Sequence, residues 1–334
     1  MIDPKLPLID LHRHLDGNIR LDTILDLAEQ HGIKLPGNDV ESLRPHVQVV
    51  GRVASLIDFL HKFEYLTLVL CDLDACRRVA FENVQDAARE GLAHVELRFS
   101  PWFMSLPHKL DPAAVTEAIA DGIAAGVRET GLSVGIIGII SRTFGVETAW
   151  KELDALLGCK AGLTALDLAG DELGYPADLF RAHFARARDA GLEITVHAGE
   201  ADGPASVWSA IKDLGATRIG HGFRSIEDPA LVDYLREHRI GLEICLTSNV
   251  QIDAVHGYAA HPLKSLLDAG VLANLNTDNL AISGIDLRYE YEVAAPAAGL
   301  DKQQIRETQK DALDMAFLSE EQKAALRAAA AGDY

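Results

Sequence analysis

Leu8-Ile9-Asp10-Leu11-His12-Arg13-His14-Leu15-Asp16-Gly17 is an apolar run that ends in two histidines two residues apart. Such a run reads as a short buried strand, in which side chains at i and i+2 point the same way with Cα atoms roughly 6.5 Å apart. His12 and His14 can then converge on one ion, each with a ring nitrogen about 2.0–2.1 Å from it. Arg13 faces the other way. Asp16-Gly17 supplies turn chemistry, and the amphipathic segment Ile19–Gln30 follows as a helix. Taken alone, two histidines at a strand end are better explained as ordinary packing, and the metal reading gains only if other strand ends supply the remaining ligands.

Working outward, seven more β-rich runs follow: Ala93–Ser100, Leu132–Ile140, Leu163–Gly170, Leu192–His197, Thr217–Gly222, Ile240–Leu246 and Val271–Asp278. Helical sequence separates each from the next. Parallel pairing is the consequence, because a parallel crossover needs a dozen or more residues. Eight such units in one chain predict an α/β fold, a single (β/α)8 TIM-type barrel with additional helices, and one domain over residues 1–334. The alternative is an open doubly wound sheet. No G-x-G-x-x-G follows any of the strands, so its commonest purpose, dinucleotide binding, has no support.

Between the strands, Ala54–Cys71 carries Leu56, Phe59, Leu60 and Phe63 at i, i+3, i+4 and i+7, one apolar helical face. Such a face packs into a core, or walls a pocket if it lies over the barrel mouth. Asp74–Glu90 is a further helix, stopped at Gly91. The tail Lys302–Ala331 is helical, with a capping box at Ser319 and Gln322 opening its last helix.

Composition narrows the function. Hydrophobic residues make up 48% of the 334, enough for a large core and too many for a disordered chain. The net charge of −19 argues against a nucleic-acid partner but leaves a small neutral ligand open. No apolar run approaches the length of a membrane span, and no basic-then-apolar signal opens the chain. Cys71, Cys76, Cys159 and Cys245 form no C-x-x-C pair and are expected to be reduced and buried, as in a cytoplasmic protein.

In a barrel of this kind the chemistry gathers at the C-terminal ends of the strands. Those ends carry His12 and His14 on the first, His197 and nearby Glu200 on the fifth, His221 on the sixth and Asp278 on the eighth. Imidazoles and a carboxylate suit a divalent first-row ion; zinc is the first choice, and ligand type leaves iron, cobalt and manganese open. A metal-bound water has a pKa near 7, which makes hydroxide available at neutral pH. Glu200, three residues past His197 across a glycine turn, is placed to move protons without ligating. His221 is placed to hold the hydroxide by a hydrogen bond.

Six motifs in one order resemble the adenosine deaminase family of metal-dependent hydrolases, in its bacterial form, over nearly the whole chain. They are His12-Arg13-His14-Leu15-Asp16-Gly17, Glu96-Leu97-Arg98-Phe99-Ser100-Pro101, Asp167-Leu168-Ala169-Gly170-Asp171-Glu172, Val196-His197-Ala198-Gly199-Glu200, Ile219-Gly220-His221-Gly222 and Asn276-Thr277-Asp278. The resemblance implies hydrolytic deamination of adenosine and 2′-deoxyadenosine to inosine and 2′-deoxyinosine by a zinc-bound hydroxide, with one Zn²⁺ per chain. It implies His12, His14, His197 and Asp278 as zinc ligands and Glu200 as the acid that protonates purine N1. His221 would assist the attacking water, Asp16 and His14 would meet the ribose, and the Gly170 N–H would meet N3. The face Leu56, Phe59, Leu60 and Phe63 resembles the family's lid over the nucleoside. Another aminopurine substrate, adenine or an N6-substituted adenosine, and a non-catalytic nucleoside-binding protein are the alternatives.

One position departs from the family pattern, which usually has a second aspartate and a proline after the metal-binding aspartate. Here Asn279 and Leu280 stand there. Purine N7 accepts a hydrogen bond, and an amide NH₂ donates without needing a proton. Asn279 is therefore expected to keep the N7 contact.

Overall fold

A computed structural model describes residues 2–49, 51–53, 61–159 and 161–332. Eight parallel strands run in the order of the chain: β1 (Ile9–His14), β2 (His94–Phe99), β3 (Ser133–Ser141), β4 (Ala165–Ala169), β5 (Glu193–Ala198), β6 (Arg218–His221), β7 (Gly241–Ile244) and β8 (Ala273–Leu275). The ring is joined between its last and first strands at the site itself. The His14 N–H donates to the Asp278 carbonyl at 2.8 Å, and the Asp278 N–H donates to the His12 carbonyl at 2.8 Å. Beside that seam, the Leu11 N–H donates to Asn276 Oδ1 at 2.8 Å and the Thr277 hydroxyl to Asp10 at 2.5 Å. The expected barrel is the observed one.

Helices cover the outside for reasons written in the sequence. Asp72 caps the helix Leu73–Arg89 by accepting the Ala75 N–H, and Asp111 and Pro112 open the helix Pro112–Thr130. These two helices pack closely because Gly122 lies against the Arg77 carbonyl, where a Cβ would collide. The capping box at Ser319 and Gln322 is present, with both reciprocal hydrogen bonds. Among the described residues no helix is long and apolar enough to cross a membrane.

The departures from the expected boundaries have local causes. The β4 strand stops at Ala169 because Gly170 turns to φ +109°, and β6 stops at His221, whose φ is +60°. The eighth strand is three residues long: the Asn276 N–H still reaches the Ile244 carbonyl of β7, and beyond it the Thr277 hydroxyl turns to Asp10. All four cysteines are free, but Cys71 is only half-buried. It lies past the short helix Glu64–Leu68, with Sγ 3.5 Å from His108 Nε2. Of the expected lid face, Leu56, Phe59 and Leu60 lie outside the described residues, whereas Phe63 is buried in the described part.

Candidate active site

The C-terminal ends of the strands surround a cavity of about 330 Å³. His14, Asp16, Gly170, His197, Glu200, His221, Asp278 and Asn279 all line it, so the structure gathers nearly every residue singled out from sequence. The remaining one, His12, lies just behind, with its ring centroid 4.5 Å from that of His197 and 4.8 Å from that of His221. Phe63, Phe103 and Phe144 supply an apolar wall to the same cavity.

Ligand atoms of His12, His197, His221 and Asp278 lie within 4.8 Å of one another, and all four residues are buried. His14 stands at the edge of that group, its Nε2 3.2 Å from His197 Nε2 and 3.4 Å from Asp278 Oδ1. Five groups thus compete for one centre. His12 Nε2 is buried there with no hydrogen-bond partner, and such an orphan in a donor set of imidazoles and carboxylate fits a divalent ion. Two main-chain turns hold this geometry under strain, since His221 and Asp278 both adopt positive φ, +60° and +61°.

Carboxylates behind the histidines orient them. His12 Nδ1 is 2.6 Å from Glu243 Oε2, and His197 Nδ1 is 3.0 Å from Asp167 Oδ2. His14 Nδ1 is 3.6 Å from Asp16 Oδ1. For His12 and His197, a proton on Nδ1 given to these carboxylates leaves the Nε2 lone pair facing inward, the arrangement of metal-ligating imidazoles, while His14 has only the longer Asp16 contact. Burial pushes His197 down to about 4, which keeps it neutral. Burial and Arg98 oppose a charge on His12, but Asp278 and Glu243 outweigh them and raise its pKa. The same acidic surroundings that would favour a proton there favour a metal cation.

Beneath the histidines the barrel interior is ionic where branched apolar side chains are usual. Arg98 on β2 bonds to Asp167 at 2.9 Å and to Glu243 at 2.7 Å, and Arg218 on β6 pairs with both Glu96 and Glu243. Against the cost of burial, Arg98 and Arg218 hold Glu243 ionised, well below the usual carboxylate range. Sequence reasoning missed Glu243 as an orienting group. Its signal was a charge in the middle of the apolar run Ile240–Leu246.

Glu200 faces His221, Oε1 to Nε2 at 3.4 Å. Burial, then the charges of Asp278 and Glu172, push its carboxyl well above the ordinary range, and Arg142 only partly offsets them. Its turn is held by Glu172, a second residue that sequence reasoning quoted without assigning a role. Glu172 accepts from the N–H groups of Gly199, Glu200, Ala201 and Asp202, and from the Ser206 hydroxyl. Asp16 accepts the Ser100 N–H on Oδ2 at 3.3 Å, while its Oδ1 is buried without a partner. Asn279 donates Nδ2–H to Asp278 Oδ1 at 2.7 Å, which leaves the second amide proton for another acceptor.

A carboxyl held well above its ordinary range, an inward cluster of histidines with an aspartate, and an apolar wall thus share one cavity. The chain is similar to known proteins over nearly its full length. The adenosine deaminase family model matches residues 7–331. Over 327 residues the chain is 57% identical to an adenosine deaminase of Yersinia pseudotuberculosis, covering 98% of both chains. Over 331 residues it is 57% identical to that of Photorhabdus laumondii, covering 99% of both. The crystal structure of an adenine deaminase from Arthrobacter aurescens matches with a TM-score of 0.90 at 27% identity, covering 97% of this chain and 98% of the other. With motifs, barrel and near full-length identity in agreement, the chain belongs to the adenosine deaminase family.

Proposed function

We infer that this protein is a hydrolase that deaminates adenosine and 2′-deoxyadenosine to inosine and 2′-deoxyinosine with release of ammonia. The observation that carries the reading is Glu200, a buried carboxyl whose burial holds it well above the ordinary carboxylate range, 3.4 Å from His221 and facing the histidine–aspartate cluster. A nucleoside rather than a nucleotide suits the cavity, because no lysine or arginine is among its described lining residues. A phosphate there would meet Asp16, Glu200 and Asp278 instead of a cation.

In this reading His12, His14, His197 and Asp278 hold one Zn²⁺. Supporting that set, His12 and His197 have Nδ1 hydrogen-bonded to a carboxylate, whereas His221 Nδ1 faces the Asn249 amide. The ion's part, once bound, is Lewis acidity that makes water nucleophilic at neutral pH. Glu200 gives its proton to N1 as water adds to C6, which prevents negative charge from building on the ring. His221 orients the attacking water. Asp16, with its unpartnered Oδ1, takes a ribose hydroxyl beside His14. Gly170, whose φ of +109° no other residue adopts easily, brings its N–H to N3 without a side chain in the way. Asn279 donates its second amide proton to N7. Of the water's two protons, one passes to the departing amino group and the other restores Glu200, so collapse of the C6 adduct expels ammonia and leaves the 6-oxopurine.

One barrel supplies all of these groups, so residues 1–334 are read as one catalytic domain. Four free thiols suit the reducing cytoplasm. The test is incubation of metal-replete protein with adenosine, 2′-deoxyadenosine, adenine, N6-methyladenosine and AMP, following purine absorbance and ammonia together. The two nucleosides should turn over best. Preference for adenine or AMP, or no turnover at all, would refute the assignment. Elemental analysis of the same protein should find about one divalent ion per chain, as one His-rich site implies.

A further inference from the structure

His221 is backed by a chain of hydrogen bonds unlike that of any other histidine at the site. Its Nδ1 lies 3.1 Å from Asn249 Nδ2. Asn249 Oδ1 lies 3.3 Å from His261 Nε2, and His261 Nδ1 accepts the main-chain N–H of Leu263 at 3.1 Å. All three side chains are buried, with exposures of 1% for His221, 0% for Asn249 and 4% for His261.

The direction of this chain is fixed at its far end. A main-chain N–H can only donate, so His261 Nδ1 must be unprotonated. Burial pushes His261 down to about 3, which keeps the ring neutral, so its single proton sits on Nε2. That proton requires an acceptor, which is Asn249 Oδ1. Turning the amide over would set NH₂ against N–H and lose both bonds. Asn249 therefore presents NH₂ to His221 Nδ1, which must accept.

We propose that Asn249 and His261 are positioning residues that hold His221 as its Nε2–H tautomer, so that it meets the attacking water as a hydrogen-bond donor, not as a metal ligand or a base. The proposal rests on the hydrolytic reading of the site and sharpens it. Five groups converge on the centre, and hydrogen-bond polarity removes one of them from the ligand set. His12 and His197, each hydrogen-bonded through Nδ1 to a carboxylate, offer Nε2 lone pairs, while His221 offers a proton. The receiving side agrees, since His221 Nε2 points at Glu200 Oε1, an oxygen that can accept.

The test is the ring ¹⁵N spectrum of zinc-loaded, histidine-labelled protein, with the His221 signals identified by their loss in His221→Gln. Wild type should show an unprotonated Nδ1 and a protonated Nε2. Asn249→Asp keeps the size but offers only acceptors, so it should move the proton to Nδ1. It should also lower kcat roughly 10–100-fold, the usual effect of changing an orienting partner, with KM little changed. His261→Ala should lower kcat likewise, and His261→Gln, which still donates to Asn249, should restore most of it. A wild-type Nδ1–H signal would overturn the proposal. So would an Asn249→Asp protein with unchanged tautomer and kcat. Should the variants fail to fold, the wild-type spectrum alone decides. Wild type that shows the expected tautomer but releases no ammonia would refute the deaminase reading and leave the relay standing.

Discussion

Glu172→Gln is the substitution that most directly tests how the acid is held. The Glu172 carboxylate divides five donors between its oxygens. Oε2 takes the N–H groups of Glu200, Ala201 and Asp202, and Oε1 takes the Gly199 N–H at 2.7 Å and the Ser206 hydroxyl at 2.5 Å. Glutamine can give its one carbonyl to the first three. Its NH₂ then faces Ser206, which can rotate to accept, and the Gly199 N–H, which cannot. One buried donor is orphaned, at a cost of about 1–3 kcal/mol in stability. The turn that relaxes to relieve it carries Glu200, and a displacement of about 1 Å at a reacting group can cost roughly 10²-fold in rate.

There is an electrostatic consequence as well. In the proposed mechanism Glu200 works only while protonated, so activity should be lost as pH rises through its pKa. Glu172 is one of the groups that raise this pKa, after burial and Asp278. Neutralising it should move the alkaline limb of the kcat/KM profile to lower pH. Metal content should be unchanged, because His197 is oriented by Asp167 and not by Glu172. The assay is kcat and KM for adenosine across pH, with metal analysis and a urea melt on the same samples. A Glu172→Gln protein with wild-type kcat and an unmoved alkaline limb would refute the reasoning.

Glu200→Gln should retain fold and metal yet lose about 10²–10⁴-fold in turnover, the usual scale of general acid help; near wild-type deamination would remove Glu200 from that role. Asn279→Ala should lose kcat/KM on adenosine by about 5- to 150-fold, the rate equivalent of the roughly 1–3 kcal/mol for an orphaned polar group. It should also respond much less than wild type to 7-deazaadenosine, and equal sensitivity of the two proteins would show that Asn279 does not read N7. Burial pushes Glu152, which accepts from Ser100 and Ser141, up to about 7. Its folded pKa exceeds the unfolded value, so the native state keeps a proton that the unfolded chain has released. Stability should fall as pH rises from about 4.3 to 7, by an amount on the order of 3 kcal/mol. Glu152→Gln should flatten that slope in denaturant melts at pH 5 and 7, and an unchanged slope would assign the dependence elsewhere.

The barrel was legible because each strand announces itself locally, as an apolar run between helical segments. The ligand candidates were legible because His12, His14, His197, His221 and Asp278 sit at the ends of those runs. Glu243 was not, because its partner His12 lies 231 positions away and only ring closure brings them to 2.6 Å. Glu172 reads as a solvated loop acid until four main-chain N–H groups are seen to surround it. Asn249 and His261 were missed for a different reason. Their meaning lies in which atom donates, and no residue pattern encodes that direction. The strand ends at β4 and β6 were overestimated because positive φ at Gly170 and His221 cannot be read from β propensity.

The seam between β8 and β1 ties activity to the order in which the chain is made. The Asp278 N–H donates to the His12 carbonyl across 265 intervening residues and its carbonyl accepts from His14, so Asp278 reaches the histidines only once that seam has formed. Contacts so distant in sequence are costly to close and form slowly. A nascent chain that has emerged through β7 holds the histidines and the acid, yet it has no carboxylate opposite them. In the proposed ligand set the site is therefore complete only when the last strand has docked against the first.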